Sequence, residues 1–154
     1  MNDLIIRDCT PQDIDEIIQL DVEWEQEAIT HGFDPMRREE YLAYLNQVPV
    51  YFLVAETFDE VVGYINGSIH INKDVAAFPE GETYLQVDNI YLKPAFRDKG
   101  LGSQLMKRLL TTAEQQGIKK YLVESVSTDM AKVINFYQSH DFTLSYVQLF
   151  REIE

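Results

Sequence analysis

The spacing of hydrophobic and polar positions changes period several times along the chain, and each change marks an element. Residues 4–7 read as a short first strand. Thr10-Pro11-Gln12-Asp13 then signals a helix start: a hydroxyl at the N-cap, proline at the first helical position and an acid in the first turn. Ile14, Ile17, Ile18 and Asp21-Val22 continue at helical spacing toward Trp24 and Ala28, and His31-Gly32 breaks the run. Asp34-Pro35 begins a second helix with Tyr41, Leu42 and Leu45 on one face. Residues 50–55 form an apolar strand run, and Thr57-Phe58-Asp59-Glu60 predicts a hairpin turn into a second strand over 61–71. There Ile65, Ile69 and Ile71 alternate with Tyr64, Asn66, Ser68 and His70. Residues 73–81 read as a loop, and 83–92 as a long strand of aromatic and branched residues. An amphipathic helix follows over 101–116, with Leu101, Leu105, Leu109 and Leu110 in a stripe and Gly117 as its stop. A buried-type strand over 121–126, a short helix over 131–139 and a final strand over 142–150 complete the order βααβββαβαβ. This is an α/β chain built on a mixed sheet.

Composition narrows the class. The 154 residues suit one domain with a sizeable core, and 45% hydrophobic residues exclude a disordered chain. There is no apolar run of about 18 residues, so no membrane-spanning helix is predicted. The start, MNDLIIRDCT, carries acids where a secretory leader needs a basic segment and a long apolar one. Cys9 is the single cysteine, so no intrachain disulfide forms and a reducing cytoplasm is the expected compartment. A net charge of −13 argues against nucleic-acid binding, which cancels phosphate charge with Lys and Arg. His31, His70 and His140 are scattered with no ligand-type spacing, so no metal is expected.

The charge is uneven. Residues 1–60 carry a net −12, whereas residues 93–108 carry +4 through Lys93, Arg97, Lys99, Lys107 and Arg108 against Asp98. A short basic island in an acidic chain points to an anionic partner, or to chance clustering of surface charge. The island contains the sequence's most informative stretch, Ile90-Tyr91-Leu92-Lys93-Pro94-Ala95-Phe96-Arg97-Asp98-Lys99-Gly100-Leu101-Gly102. A strand ends, two glycines follow and a helix begins. Glycine lets main-chain N–H groups approach a ligand closely, and a helix N-terminus adds unpaired donors and a positive dipole end. This combination suits a pyrophosphate. Ser103-Gln104 after Gly102 excludes a P-loop, and the missing third glycine excludes a dinucleotide fingerprint.

Arg97-x-x-Gly100-x-Gly102 after Ile90-Tyr91-Leu92-x-Pro94 resembles the acetyl-CoA-binding motif of the GNAT superfamily of N-acetyltransferases. Phe136-Tyr137-x-x-x-Asp141-Phe142 is similar to the same family's Phe-Tyr-x-x-x-Gly-Phe element. The resemblance implies a mixed, mostly antiparallel central sheet flanked by helices, in one domain spanning 1–154. It implies acetyl-CoA as co-substrate, no metal, and an amine acceptor, with a homodimer left open. Main-chain amides of Asp98, Lys99, Gly100, Leu101, Gly102 and Ser103 would cradle the pyrophosphate, with Arg97 adding charge or bracing the loop. The backbone at Ile90 and Leu92 would pair with the pantetheine arm by strand addition, and Met130, Val133 and Phe136 would border it. Met130 and Val133 stand where the family usually carries Asn and Ala, and Asp141 where it carries Gly.

Acetyl transfer to an amine needs a group to remove the ammonium proton, donors for the carbonyl oxygen and a proton for the departing thiolate. By resemblance Tyr137 is the proton donor. Asp88 is the candidate base acting through a water, or else it fixes the strand or an acceptor ammonium. Period-two alternation puts Glu82, Tyr84, Gln86 and Asp88 on one face with Ile90 and Leu92. Gln86 stands where some members carry a catalytic Glu. Trp24 and Glu27, with Glu23 and Glu25 beside them, lie where the family places its acceptor, and their charge suits a cationic amine; a solvated helix face is the commoner origin of such Glu runs. Tyr41, Tyr44 and His70 are further candidates for the acceptor groove or for packing. A CoA-binding sensor without catalysis is the alternative reading.

Overall fold

The computed structural model describes residues 3–30 and 32–154. The expectation placed on His31 lies outside the described residues.

Among the described residues five strands form one sheet in the order β1-β2-β3-β4-β5: β1 Ile5–Asp8, β2 Phe52–Thr57, β3 Glu60–Ile71, β4 Thr83–Leu92 and β5 Tyr121–Val123. All pairs are antiparallel except β4–β5, which is parallel. The sheet is therefore mixed and mostly antiparallel, as predicted. Among the described residues four α-helices flank it: α1 Ile14–Glu27, α2 Arg38–Leu45, α3 Leu101–Gln115 and α4 Met130–Gln138.

Local chemistry sets the boundaries. Pro11–Asp13 forms a 3₁₀ turn leading into α1, and the Asp13 carboxylate accepts from the Thr10 N–H at 2.8 Å. The second helix begins at Arg38 rather than at Asp34-Pro35, where the Glu40 carboxylate accepts from the Arg37 N–H at 2.7 Å. The β2–β3 hairpin turns through Phe58 and Asp59, both at positive φ, which matches the right-handed twist of the strands.

The sheet buries both faces. Tyr51, Leu53, Ala55, Val62, Ile65, Leu85 and Val87 pack against the stripe of α3, namely Leu101, Leu105, Met106, Leu109 and Ala113. On the other face Phe52, Val54, Val61, Tyr64 and Tyr91 pack against Ile14, Ile17 and Leu20 of α1 and Tyr41 of α2. Inside this second layer Asp21, 2% exposed, accepts from both the Tyr41 and Tyr64 hydroxyls, which ties α1, α2 and β3 together.

Two features of the sheet correct the sequence reading. The expected sixth strand does not form: residues 142–150 join no ladder, and Leu144, Tyr146, Val147 and Leu149 are exposed. Strand propensity describes side chains suited to a pleated surface, and a strand also needs a partner edge at the right place. β5 spans only three residues, and residues 142–150 do not pair with it. The second correction lies in β4. Asn66 pairs with Asn89, but the next residue of β3, Gly67, pairs with Val87. Asp88 is thus the extra residue of a β-bulge. The bulge shifts the alternation by one, so Ile90 and Leu92 pack on the α3 face with Leu85 and Val87, while Tyr91 packs on the α1 face. Asp88 therefore does not share a face with Ile90 and Leu92 as uninterrupted alternation predicted. Gly67 is needed there, because a Cβ would stand 2.8 Å from the Gln86 carbonyl oxygen.

Among the described residues no helix is long and apolar enough to cross a membrane.

Candidate active site

The parallel pairing of β4 with β5 runs only from Leu85↔Tyr121 to Val87↔Val123. Beyond the bulge the two strands part. Among the described residues the stretch of β4 from Asp88 to Leu92 then has β3 on one side and no strand on the other. The turn into α3 and α4 meet this end of β4, since a Cβ on Gly102 would lie 3.6 Å from both Leu92 Cδ1 and Phe136 Cε2.

That turn has an unusual hydrogen-bond account. Among the described residues, none of the main-chain N–H groups of Asp98, Lys99, Gly100, Leu101, Gly102 and Ser103 donates to a protein acceptor. The first internal bond of α3 runs from the Gln104 N–H to the Gly100 carbonyl at 3.1 Å. Asp98 and Gly100 both take positive φ, +60° and +83°, which bends the chain so that the turn leads directly into α3. Four of the six donors, Gly100 to Ser103, are the orphans that any helix leaves at its N-terminus, and Asp98 and Lys99 extend the set backwards through the loop. These donors fit a diphosphate.

The basic island does not stay together in space. Arg97 forms a two-pronged ion pair with Glu27 at 2.7 and 2.8 Å, and its Nε donates to the Leu92 carbonyl at 2.9 Å. Its guanidinium also lies 5.3 Å from the Tyr91 ring centroid, and the Tyr91 hydroxyl donates to Glu27 at 2.7 Å. Arg97 is thus a brace between β4, the turn and α1. Lys93 pairs with Glu60, while Lys107 and Arg108 line a shallow depression of about 510 Å³ against Leu4 and Ile6. At the turn itself Lys99 donates to the Ala95 carbonyl, and Lys132 of α4 lies 3.3 Å from Asp98. Linear clustering placed charge near the turn, but successive residues of a helix point around its axis and the tertiary partners are acids.

Burial disfavours the charged form of Glu27, yet hydrogen bonds from Arg97 and Tyr91 outweigh it and hold the carboxyl below the usual range. The carboxylate therefore stabilises the fold above its unfolded pKa of about 4.3, and the contribution disappears as pH falls through the lower folded value. Glu27→Gln is expected to lower stability by about 1–3 kcal/mol at neutral pH, because it leaves Arg97 half-buried and unpaired. Denaturant titrations at falling pH check this: the gap to wild type closes in acid. A gap that persists unchanged in acid contradicts it.

Trp24 stacks on Tyr91 at 5.1 Å, packs against Phe33, and donates from Nε1 to Thr30 at 2.9 Å. Thr30 forms an isolated bridge with Ser127, so the chain leaving α1 meets the chain entering α4. Trp24, Glu27, Tyr91 and Arg97 thus make one cluster at the end of β4. Gln86 is half-buried on β4 opposite Ser68, nearer the other end.

Asp88 sits in a second cluster. Its Oδ2 accepts from the Tyr44 hydroxyl at 2.8 Å and from the Ser68 hydroxyl at 2.7 Å. Ser68 Oγ lies 2.8 Å from His70 Nε2, and His70 stacks on Tyr84 at 5.4 Å. Sequence reasoning named Asp88, Tyr44 and His70 separately but missed Ser68, which joins them. The alternation along β3 put Ser68 and His70 on one face, and the missing signal was the register that brings Asp88 opposite them.

On α4, Phe136 and Tyr137 pack edge to face at 5.3 Å, and Tyr137 meets Phe142 at 5.7 Å. Burial pushes the Tyr137 phenol up to about 12, so it is protonated at neutral pH. Val133 is half-buried and Met130 is exposed at the start of the helix. Asp141 takes φ +66°, the left-handed conformation its place in the motif requires. His140 approaches the Ser103 hydroxyl at 3.1 Å, a link from α4 to the first turn of α3 that the sequence reading did not anticipate.

The fold has many relatives among solved structures. An aminoglycoside acetyltransferase from an uncultured soil metagenomic sample, in complex with trehalose, aligns at TM-score 0.72 with 17% identity over 99% of this chain and 98% of that one. Ard1 from Thermoplasma volcanium aligns at 0.70 with 23% identity over 93% and 84%. A predicted acetyltransferase with acetyl-CoA from Clostridium acetobutylicum aligns at 0.69 with 18% identity over 96% of both. A search of curated protein sequences finds no match. Residues 14–142, from the start of α1 to the residue after the positive-φ Asp141, match the sequence profile of the acetyltransferase (GNAT) family. With the unpaired amides at the turn, the parted strands and the Phe-Tyr helix in place, the chain belongs to the GNAT family of acetyltransferases.

Proposed function

We propose that this protein is a single-domain enzyme that transfers the acetyl group of acetyl-CoA to a primary amine of a cationic small molecule or peptide, by direct attack with both substrates bound. The observation that carries this reading is the run of six main-chain N–H donors, from Asp98 to Ser103, without internal partners. They are the right groups for a diphosphate, and they sit beside the edge of β4 beyond its pairing with β5, where an extended amide-bearing arm adds at Ile90 and Leu92. Arg97 serves this site by bracing the turn. Met130, Val133 and Phe136 border this site from α4. Acetyl-CoA supplies the activated acetyl thioester; every other task falls to the chain.

Asp88 is the base. Tyr44 and Ser68 both donate to Oδ2, which orients the carboxylate and leaves Oδ1 for the acceptor or a water. Tyr137 holds a phenolic proton for the departing sulfur, which a phenol raised by burial retains. Trp24 and Gln86 flank the acceptor side from opposite ends, and the acidic first 60 residues favour a cation. Glu27 acts there through its ion pair with Arg97. Neighbours of the same fold include an aminoglycoside acetyltransferase, which is consistent with an amino-sugar acceptor.

Calorimetry with acetyl-CoA, followed by a free-CoA release assay on spermidine, an amino sugar and a short peptide with a free N-terminus, tests the proposal. Saturable acetyl-CoA binding and turnover on at least one amine are expected. Tight binding with no turnover on any amine establishes the sensor reading instead, and no binding removes both.

A further inference from the structure

Asp88 is half-buried, whereas His70 is exposed, and Ser68 stands between them within hydrogen-bond distance of both. Among the described residues this is the only hydrogen-bonded line from the Asp88 carboxylate to an exposed titratable side chain. Its other partner, Tyr44, leads inward, and burial raises that phenol above its ordinary range. We propose that His70, acting through Ser68, is the exit for the proton that Asp88 removes from the acceptor amine. The inference rests on the reading of Asp88 as base.

The hydrogen bonds allow the transfer to balance. The free carboxylate oxygen takes a proton from the ammonium; the N–H bond breaks and its electron pair stays on nitrogen as the nucleophile. Rotation about the Cβ–Cγ bond then presents the new O–H to Ser68. Ser68 Oγ accepts that proton while its own hydrogen, turned from Asp88 toward His70, passes to the unprotonated Nε2 of the Nδ1–H tautomer. The products are a carboxylate at Asp88, an unchanged hydroxyl at Ser68 and an imidazolium at His70, which releases its Nδ1 proton to water. An imidazole suits this role because it can take a proton at one ring nitrogen and release one from the other. The stack on Tyr84, itself packed against Phe78 at 5.5 Å, holds the ring with Nε2 toward Ser68. Substrates seated over Asp88 exclude bulk water from the carboxylate, so an exit behind it becomes useful at the moment of catalysis.

His70 and Ser68 are positioning residues in this scheme, and the test needs a readout that packing alone does not move. The assay is free-CoA release in weak buffer with the fastest acceptor among spermidine, an amino sugar and a short peptide. His70→Ala is expected to lower kcat by about ten- to a hundredfold while KM for acetyl-CoA stays within about twofold. Added imidazole should restore kcat in His70→Ala and should fail to do so in Ser68→Ala, where the link to Asp88 is gone. His70 is exposed, so its removal leaves the fold intact, and thermal melting verifies this. Wild-type kcat in His70→Ala, or a loss that imidazole leaves unchanged, overturns the relay. Asp88→Asn separates the two levels. If it is inactive while His70→Ala is unimpaired, the relay alone falls; if it turns over like wild type, or if none of the three amines reacts, the base reading falls with it.

Discussion

Gly102→Arg is expected to weaken acetyl-CoA binding by at least about a hundredfold, or about 2.7 kcal/mol, while Gly102→Ala binds within about threefold of wild type. The contrast follows from the space around the residue. A Cβ at position 102 would lie 3.6 Å from Leu92 Cδ1 and 3.6 Å from Phe136 Cε2, both ordinary contacts. Alanine therefore fits, and it is also the better helix former. Arginine continues past these contacts between the first turn of α3, Leu92 of β4 and Phe136 of α4, beside the unpartnered amides. Its long chain cannot fold back into the core, because Leu101 and Leu105 already fill that side. Calorimetry on the two variants, with melting curves to verify folding, measures the effect. Wild-type affinity in the arginine variant would place the diphosphate elsewhere.

Tyr137→Phe is expected to lower kcat by about ten- to a thousandfold with little change in KM for acetyl-CoA. The substitution removes one hydroxyl and keeps the ring contacts with Phe136 and Phe142, so packing is preserved. Burial raises the phenol to about 12, so the proton is retained as pH rises through neutrality. The defect should accordingly stay constant between about pH 6 and pH 9, below the range where a buried phenol titrates. Steady-state rates across that interval check both claims. Wild-type turnover at any pH in the interval takes Tyr137 out of the chemistry.

Both experiments probe groups legible in the linear order of residues. The strand-turn-helix around Gly100 and Gly102 combines local signals: branched residues, then glycines at close approach, then a leucine stripe. Phe136-Tyr137 and the left-handed Asp141 are local in the same sense, since a helix end and its positive φ depend on a few adjacent residues. The site's long-range features were not legible this way. The Glu27–Arg97 pair joins residues 70 apart, and Ser68–Asp88 residues 20 apart. Both arise from how elements dock, which no local preference encodes. Trp24 and Glu27 looked like an exposed acidic helix end, yet docking turns one onto Tyr91 and the other onto Arg97.

The bulge at Asp88 shows the division most sharply. Alternation in β4 reads as unbroken in the sequence, because Asp, Asn and Ile are all acceptable neighbours in a strand. Only pairing with β3, where Gly67 permits a close approach and Asn66 bonds Asn89 at 3.0 Å, reveals the extra residue. That one residue leaves Asp88 on the face of Gln86 and Ser68 and sends Ile90 and Leu92 to the opposite face. The expected strand over 142–150 failed for a related reason, since a ladder requires a partner and not merely suitable side chains.

By itself the sequence determined the family, the α/β class, the helix stripes and the turn that presents its amides, because these depend on periodicity and on backbone preferences within a few residues. Which charges enter ion pairs, which face Ile90 and Leu92 meet and which hydroxyl joins Asp88 to His70 are set in three dimensions alone. Those outcomes depend on strand register and on the docking of distant segments, where a shift of one residue exchanges one face for the other.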